Sequence, residues 1–286
     1  MDPAGLAGRS WGDPARSADL IFIHANGFNG LTYRGLLEPL KGDWRVQAPD
    51  LRGHGRTTLP TRPENRANWN DMRGDLVALL ESLEGPPVVL AGHSMGATLA
   101  LLAAARVPDR VRSLVMLDPV ILTRTASTAM RLPGGWKLAR RHPWAVAALR
   151  RRHCFPDREA AFQSYRGRGS FKGWPDAVLA DYVEDGFRPT PDGEVELACA
   201  PAWESSNYSA QSNDPWGALV RVGRPVHILK AGQGSTCSVT ARDAGRHPGL
   251  VVETLEDGTH FFPMMMPDAA RAVLIQALEA RASAAS

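Results

Sequence analysis

Short apolar runs alternate with helical stripes from about residue 19 to residue 118. Asp19-Leu-Ile-Phe-Ile-His24, Trp44-Arg-Val-Gln-Ala-Pro-Asp50, Pro87-Val-Val-Leu-Ala-Gly92 and Val111-Arg-Ser-Leu-Val-Met-Leu117 are rich in branched residues and bounded by Gly, Pro or Asp. That pattern predicts buried strands. Between them, Leu31 to Leu40, Asn68 to Leu83 and Ala97 to Arg106 carry the helical period. In the second of these, Met72, Leu76, Leu79, Leu80 and Leu83 fall on one stripe. Strand, helix and strand in succession predict an α/β fold with a mostly parallel sheet flanked by helices. The rhythm resumes with strands at Arg224–Lys230 and Leu250–Leu255. A closing helix at Asp268–Ala280 then offers Ala272, Leu274, Ile275 and Leu278 to the core. The Ala-Ser tail beyond it is expected to fray.

Residues 119–216 break this rhythm. They hold five of the eight tryptophans (Trp136, Trp144, Trp174, Trp203, Trp216) in short helical stretches interrupted by Pro and Gly, with no strand pattern. Connections beyond about 15 residues are seldom structureless in a compact domain. The expectation is a helical cap inserted between two halves of one core, residues 1–118 and 217–286. No internal repeat is visible.

Composition narrows the class. A chain of 286 residues at 44% apolar content suits one large α/β domain and excludes disorder. A chain of this length buries about three quarters of its unfolded surface, so it needs no disulfide or metal staple. A net charge of only +3 marks no nucleic-acid or membrane surface. Cys154, Cys199 and Cys237 are odd in number and widely spaced, so neither a disulfide framework nor a metal site is predicted. Met1 to Asp13 lacks the apolar run of a signal peptide, and no apolar run approaches the roughly 20 residues of a membrane span. A soluble, cytoplasmic protein is expected.

The chemistry concentrates at Gly92-His93-Ser94-Met95-Gly96, which follows a buried strand and opens a helix. A turn this sharp strains the serine backbone, and side chains at the flanking positions would collide. It leaves a hydroxyl exposed above the sheet edge at a helix N-terminus. Serine is a weak nucleophile unless a base takes its proton, and the base needs an orienting partner. His93 adjoins Ser94, and neighbouring side chains there point apart. His24 and His54 sit in glycine-rich turns, where bonding to backbone is the expected role. His142 and His153 fall in the Arg-rich cap, His227 in a strand and His247 in a loop. His260, in Gly258-Thr-His-Phe-Phe-Pro263 after the last strand, is positioned to reach the sheet's carboxyl edge and is the candidate base.

Taken together, His24-Ala-Asn-Gly-Phe28, Asp50-Leu-Arg-Gly-His-Gly55, the serine turn and the His260 loop resemble the α/β-hydrolase fold superfamily, in the family's order. The resemblance covers residues 17–118 and 217–286. It implies Ser94 as nucleophile, His260 as general base, and an oxyanion hole from the backbone N–H groups of Met95 and Asn26. The usual His-Gly is His24-Ala25 here. Family members usually carry the triad acid just after the strand equivalent to Val226–Lys230. Here that loop, Ala231 to Ser238, contains no carboxylate, and Ser235 stands near the acid's place. The family's second location, the end of the strand after the nucleophile, is occupied by Asp118, which is assigned as the acid.

The resemblance implies hydrolysis of a carboxylic ester, with lactone opening by the same machinery. Carbon–carbon bond hydrolysis, cofactor-free perhydrolysis and a slow-turnover ligand-binding protein remain as alternatives. Serine at the turn argues against dehalogenase or epoxide hydrolase chemistry, whose relatives carry Asp there. No cofactor is implied. The expected partner is a small apolar or aromatic ester or lactone, contacted by Trp136, Trp174, Trp203 and Met264. The other cap tryptophans, Trp144 and Trp216, and Phe155, Phe162, Phe171 and Phe187 are further candidates for that pocket. The Arg140-Arg141 and Arg150-Arg151-Arg152 cluster is expected to be a solvated helix face, with a site for acidic substrates as the lesser reading.

Overall fold

A computed structural model describes residues 5–280 of the chain; residues 1–4 and the C-terminal Ala-Ser tail lie outside the described residues. Among the described residues ten strands form two sheets. The large sheet has the order β1-β3-β2-β4-β5-β9-β10, with β1 (Gly8–Trp11), β2 (Leu20–Ile23), β3 (Val46–Pro49), β4 (Val88–His93), β5 (Val111–Leu117), β9 (Val226–Gln233) and β10 (Leu250–Thr259). All neighbours are parallel except β1, which runs antiparallel to β3. β1 is absent from the sequence expectation because Gly8-Arg-Ser-Trp11 is a short edge strand without an apolar run. β10 continues past Leu255 to Thr259 through a register shift, which carries the chain directly to His260.

Alternation within each strand feeds two cores. Ile21, Ile23, Leu90, Leu114, Met116 and Ile228 face one side of the sheet. There they meet α2 (Asn70–Ser82) and α3 (Met95–Ala104). Phe22, Val89, Ala91, Val115, Leu117 and Leu229 face the other side, covered by α1 (Arg34–Leu37) and α13 (Pro267–Glu279). In α13 the buried stripe is Ala270, Val273, Leu274 and Leu278, with Ala272 exposed and Ile275 half-buried. The expected stripe is therefore rotated. The Leu31–Leu40 stretch is also not one helix, because α1 is flanked by 3-10 turns at Leu31–Tyr33 and Glu38–Gly42.

Between β5 and β9 the chain builds α4 (Arg124–Arg131), α5 (Trp136–Ala139), α6 (Pro143–Leu149), α7 (Arg158–Tyr165), α8 (Asp176–Gly186), α9 (Pro201–Ser209) and α10 (Pro215–Arg221). It also contains strands, contrary to expectation: β6 (Cys154–Phe155), β7 (Phe187–Pro189) and β8 (Val195–Leu197) form a small antiparallel sheet in the order β6-β8-β7. Strands of two or three residues are too short to print an alternating pattern. Two short helices complete the chain, α11 (Ala241–Ala244) and α12 (Phe262–Met265), the latter directly after His260. Among the described residues no helix is long and apolar enough to cross a membrane.

Candidate active site

Ser94 sits between β4 and α3 with φ of 55°, in the left-handed region that non-glycine residues rarely adopt. Its neighbours explain the turn. A Cβ on Gly96 would lie 2.3 Å from the carbonyl oxygens of Ile23 and His24, and one on Gly92 2.7 Å from the backbone of Gly96. Glycine is required at both positions by close backbone approach rather than by a positive φ.

Three strand ends converge above this turn. His260 Nε2 lies 3.0 Å from Ser94 Oγ, and His260 Nδ1 lies 2.6 Å from Asp118 Oδ2. Asp118 closes β5 with φ of 39°, and the carboxylate-free loop after β9 cradles it. The Ala231 and Thr236 N–H groups donate to it at 3.0 and 3.1 Å, and the Ser235 hydroxyl donates at 2.5 Å. Burial alone would raise the Asp118 pKa. The bond and charge of His260, with those from Ser235 and Ala231, outweigh it and hold the carboxyl below its ordinary range. The carboxylate thereby receives the imidazole Nδ1–H and fixes the tautomer that leaves Nε2 free to accept a proton.

Three further histidines hold the site's loops, and each is neutral for the same reason. His24 accepts from Leu51 N–H at 2.8 Å and donates to Ala25 O at 2.7 Å. His54 accepts from Gly27 N–H at 3.1 Å and donates to Arg52 O at 3.0 Å. His93 accepts from the Tyr33 hydroxyl at 2.8 Å and donates to the backbone carbonyl of His260 itself at 2.8 Å. A second proton on any ring would destroy its accepting bond. Burial pushes His24 down to about 4 and His93 to about 3, and takes His54 well below the usual histidine range.

Met95 opens α3, and Asn26 lies in the loop after β2. Among the described residues neither backbone N–H has an acceptor. The Asn26 side chain donates to Glu204 O at 3.0 Å and accepts from Asn207 Nδ2 at 2.8 Å, tying this loop to α9.

Two cavities meet at Ser94. One, of about 400 Å³, is walled by Phe28, Trp144, Arg151, Glu204, His260 and Phe261 among others. The second, of about 640 Å³, is walled by Met95, Leu122, Met130, Leu138, Trp144 and Thr236 among others. The residues expected to contact substrate line neither. Trp203 is buried with its indole N–H on Arg52 O at 2.9 Å and the Arg66 guanidinium stacked 3.9 Å from its ring centroid. Trp174 packs edge-on behind Phe28 at 5.3 Å, Met264 is buried in the core beneath α13, and Trp136 is a half-buried residue of α5. Of the four phenylalanines considered, only Phe171 reaches a cavity. Trp144 and Tyr208 line both cavities; Trp144 is one of the cap tryptophans that the sequence offers, whereas sequence reasoning missed Tyr208 as a wall residue.

The arginine cluster divides. Arg140, Arg150 and Arg152 are exposed, but Arg151 turns inward. Its guanidinium pairs with Glu204 at 3.0 Å and donates to the Tyr182 hydroxyl. Burial would lower its pKa, but Tyr182 and Glu204 hold it charged and raise it well above its ordinary value.

A seven-stranded, mostly parallel sheet with a strained serine between a central strand and its helix, facing a histidine beyond the last strand, defines an α/β hydrolase. The sequence model of the family described as "Alpha/beta hydrolase family" matches residues 20–273, and the chain belongs to that family. It is 27% identical over 254 residues to a 2-(acetamidomethylene)succinate hydrolase of Mesorhizobium japonicum (strain LMG 29417 / CECT 9101 / MAFF 303099), covering 87% of this chain and 84% of that one. A crystal structure of E-2-(acetamidomethylene)succinate hydrolase superposes with a TM-score of 0.76 at 22% identity, over 96% of this chain and 95% of that one. Lipase LipV of Mycobacterium tuberculosis (strain ATCC 25618 / H37Rv) is 36% identical over 108 residues, 38% of this chain and 40% of its own.

Proposed function

We propose that this hydrolase cleaves carboxylic esters through an acyl-enzyme on Ser94. The observation that carries the reading is the hydrogen-bonded chain from Ser94 Oγ through His260 to Asp118, at 3.0 and 2.6 Å. Ser94 Oγ adds to the carbonyl carbon as His260 Nε2 takes its proton, and Asp118 stabilises the imidazolium. The Met95 and Asn26 N–H groups receive the oxyanion, an arrangement in which each donor is worth on the order of 100- to 1000-fold. Collapse breaks the bond to the alkoxide, which leaves with the proton from His260. Water, deprotonated by the same ring, then releases the acid and restores Ser94. The segment 119–216 acts as the cap that selects substrate, since its Trp144, Arg151, Glu204 and Tyr208 wall the cavities above Ser94. A lactone would be opened by the same groups.

An acidic substrate is the reading that Arg151 adds. The relative in Mesorhizobium is named for a succinate derivative, and a largely buried, charged guanidinium on the wall of the cavity that Ser94 also lines supports matching recognition here.

The test is labelling by a fluorophosphonate together with turnover of p-nitrophenyl esters of graded chain length. Wild type is expected to label and turn over, and Ser94→Ala to do neither. Activity retained by Ser94→Ala overturns the mechanism.

A further inference from the structure

We propose that the two cavities divide the substrate at the bond to be cut: the leaving group, carrying an anionic group, lies beside Arg151, and an apolar acyl chain lies among Leu122, Met130 and Leu138. The assignment rests on the serine-hydrolase reading above.

Direction comes from the proton. The departing oxygen must accept it from His260 Nε2, so the leaving group occupies the side of the serine on which that ring is exposed. His260 walls the cavity of about 400 Å³. It does not wall the one of about 640 Å³, where the acyl chain is left to point. Asn26, Ser94, Trp144 and Tyr208 line both and form the waist between them.

Chemistry separates the two sides in the same sense. Arg151 is the buried cation of the smaller cavity. Its side chain is 16% exposed, and two of its five N–H donors are engaged by Glu204 and Tyr182. Arg168 stands exposed on the same wall without a carboxylate partner among the described residues. Glu204 is the one carboxylate on this wall and balances Arg151, so the excess positive charge is that of the exposed Arg168, screened by water as Arg141 is on the other side, and the distinguishing cation is the largely buried Arg151. The larger cavity has Val120, Leu122, Ala126, Met130 and Leu138 on its walls, and its arginine, Arg141, is an exposed residue subject to screening. An acid product formed there meets no buried cation to retain it.

Two matched ester pairs test the assignment. The first holds a butyryl group constant and compares 4-hydroxyphenylacetate with 4-hydroxyphenylacetamide as leaving group. The second holds phenol constant and compares adipoyl monoester with hexanoyl ester. The expected kcat/KM is about ten- to hundredfold higher with the carboxylate in the first pair, the range of one charged hydrogen bond, and lower with it in the second. Arg151→Met combined with Glu204→Gln removes the pair without stranding either charge and is expected to abolish the first preference. Should that double variant fail to fold, Arg168→Gln is expected to weaken the same preference. Met130→Trp is expected to shorten the longest acyl chain accepted. A carboxylate favoured on the acyl side, or no preference on the leaving side, overturns the division and leaves the serine mechanism intact. Rates that survive Ser94→Ala overturn the mechanism instead.

Discussion

The floor of the site and its roof are built on different principles. The floor, made of strand ends of the large sheet, fixes its groups largely by backbone: Ser94 and Asp118 both hold positive φ, and four histidines bond to main chain, to one another's loops or to Ser94 and Asp118. The roof, made of α6, α9 and their neighbours, holds its wall residues by side-chain pairs, Arg151 on Glu204 and Asn207 on Asn26. In a floor of this kind a substitution of Ser94, Asp118 or His260 is expected to cost the chemistry on every substrate alike. A roof of this kind can change its walls and keep the reaction.

The sharpest way to break that contrast is at Ser94, the proposed nucleophile. Ser94→Ala is expected to cost about 10⁶-fold in kcat for every substrate, measured by steady-state rates, with the melting curve nearly unchanged. Asp118→Asn should cost about 10⁴-fold, again uniformly; a loss under tenfold would mean that another acid orients His260. Trp144→Ala, in the roof, should alter kcat/KM by about 10- to 200-fold for some esters and scarcely for others, the range a pocket contact commands. Uniform loss in that variant would place Trp144 with the floor.

Acid sharpens the contrast more gently. His24, His54 and His93 have folded pKa values depressed below the unfolded value near 6.5, so their contribution is present above that pH and is lost as pH falls through the folded values. Asp50 and Asp181 act oppositely. Burial raises both to about 6, so they take up protons in the folded state first and favour it as pH falls towards 4. Three histidines against two carboxyls leave a shallow net loss. Melting temperatures taken from pH 7 to pH 4.5 should decline, and a rise would show that the histidines are not held neutral.

The sequence betrays the floor because its geometry demands exceptional residues. Glycines at positions 92 and 96 are needed where backbone approaches backbone, and a histidine after the last strand, with an Asp closing β5, is chemically conspicuous. The roof leaves no such trace. Tryptophans announce that something apolar packs, but the turning of each short helix decides what faces Ser94. Trp203 therefore points to Arg52 while Trp144 reaches the cavity. Arg151 is indistinguishable in sequence from Arg150 and Arg152, and the positions of Glu204 on α9 and Tyr182 on α8 draw it inside. The edge strand β1 and the small sheet β6-β8-β7 were hidden by their brevity.

The bond from Ser235 to Asp118 has a consequence for where an acid can stand. Position 235, on the loop after β9, lies within one hydrogen bond of the Asp118 carboxylate at the end of β5. An acid at position 235 in place of Asp118 would therefore leave His260 with an anionic companion from the neighbouring strand. The place beside His260 Nδ1 thus belongs to a neighbourhood shared by two strand ends rather than to a single position.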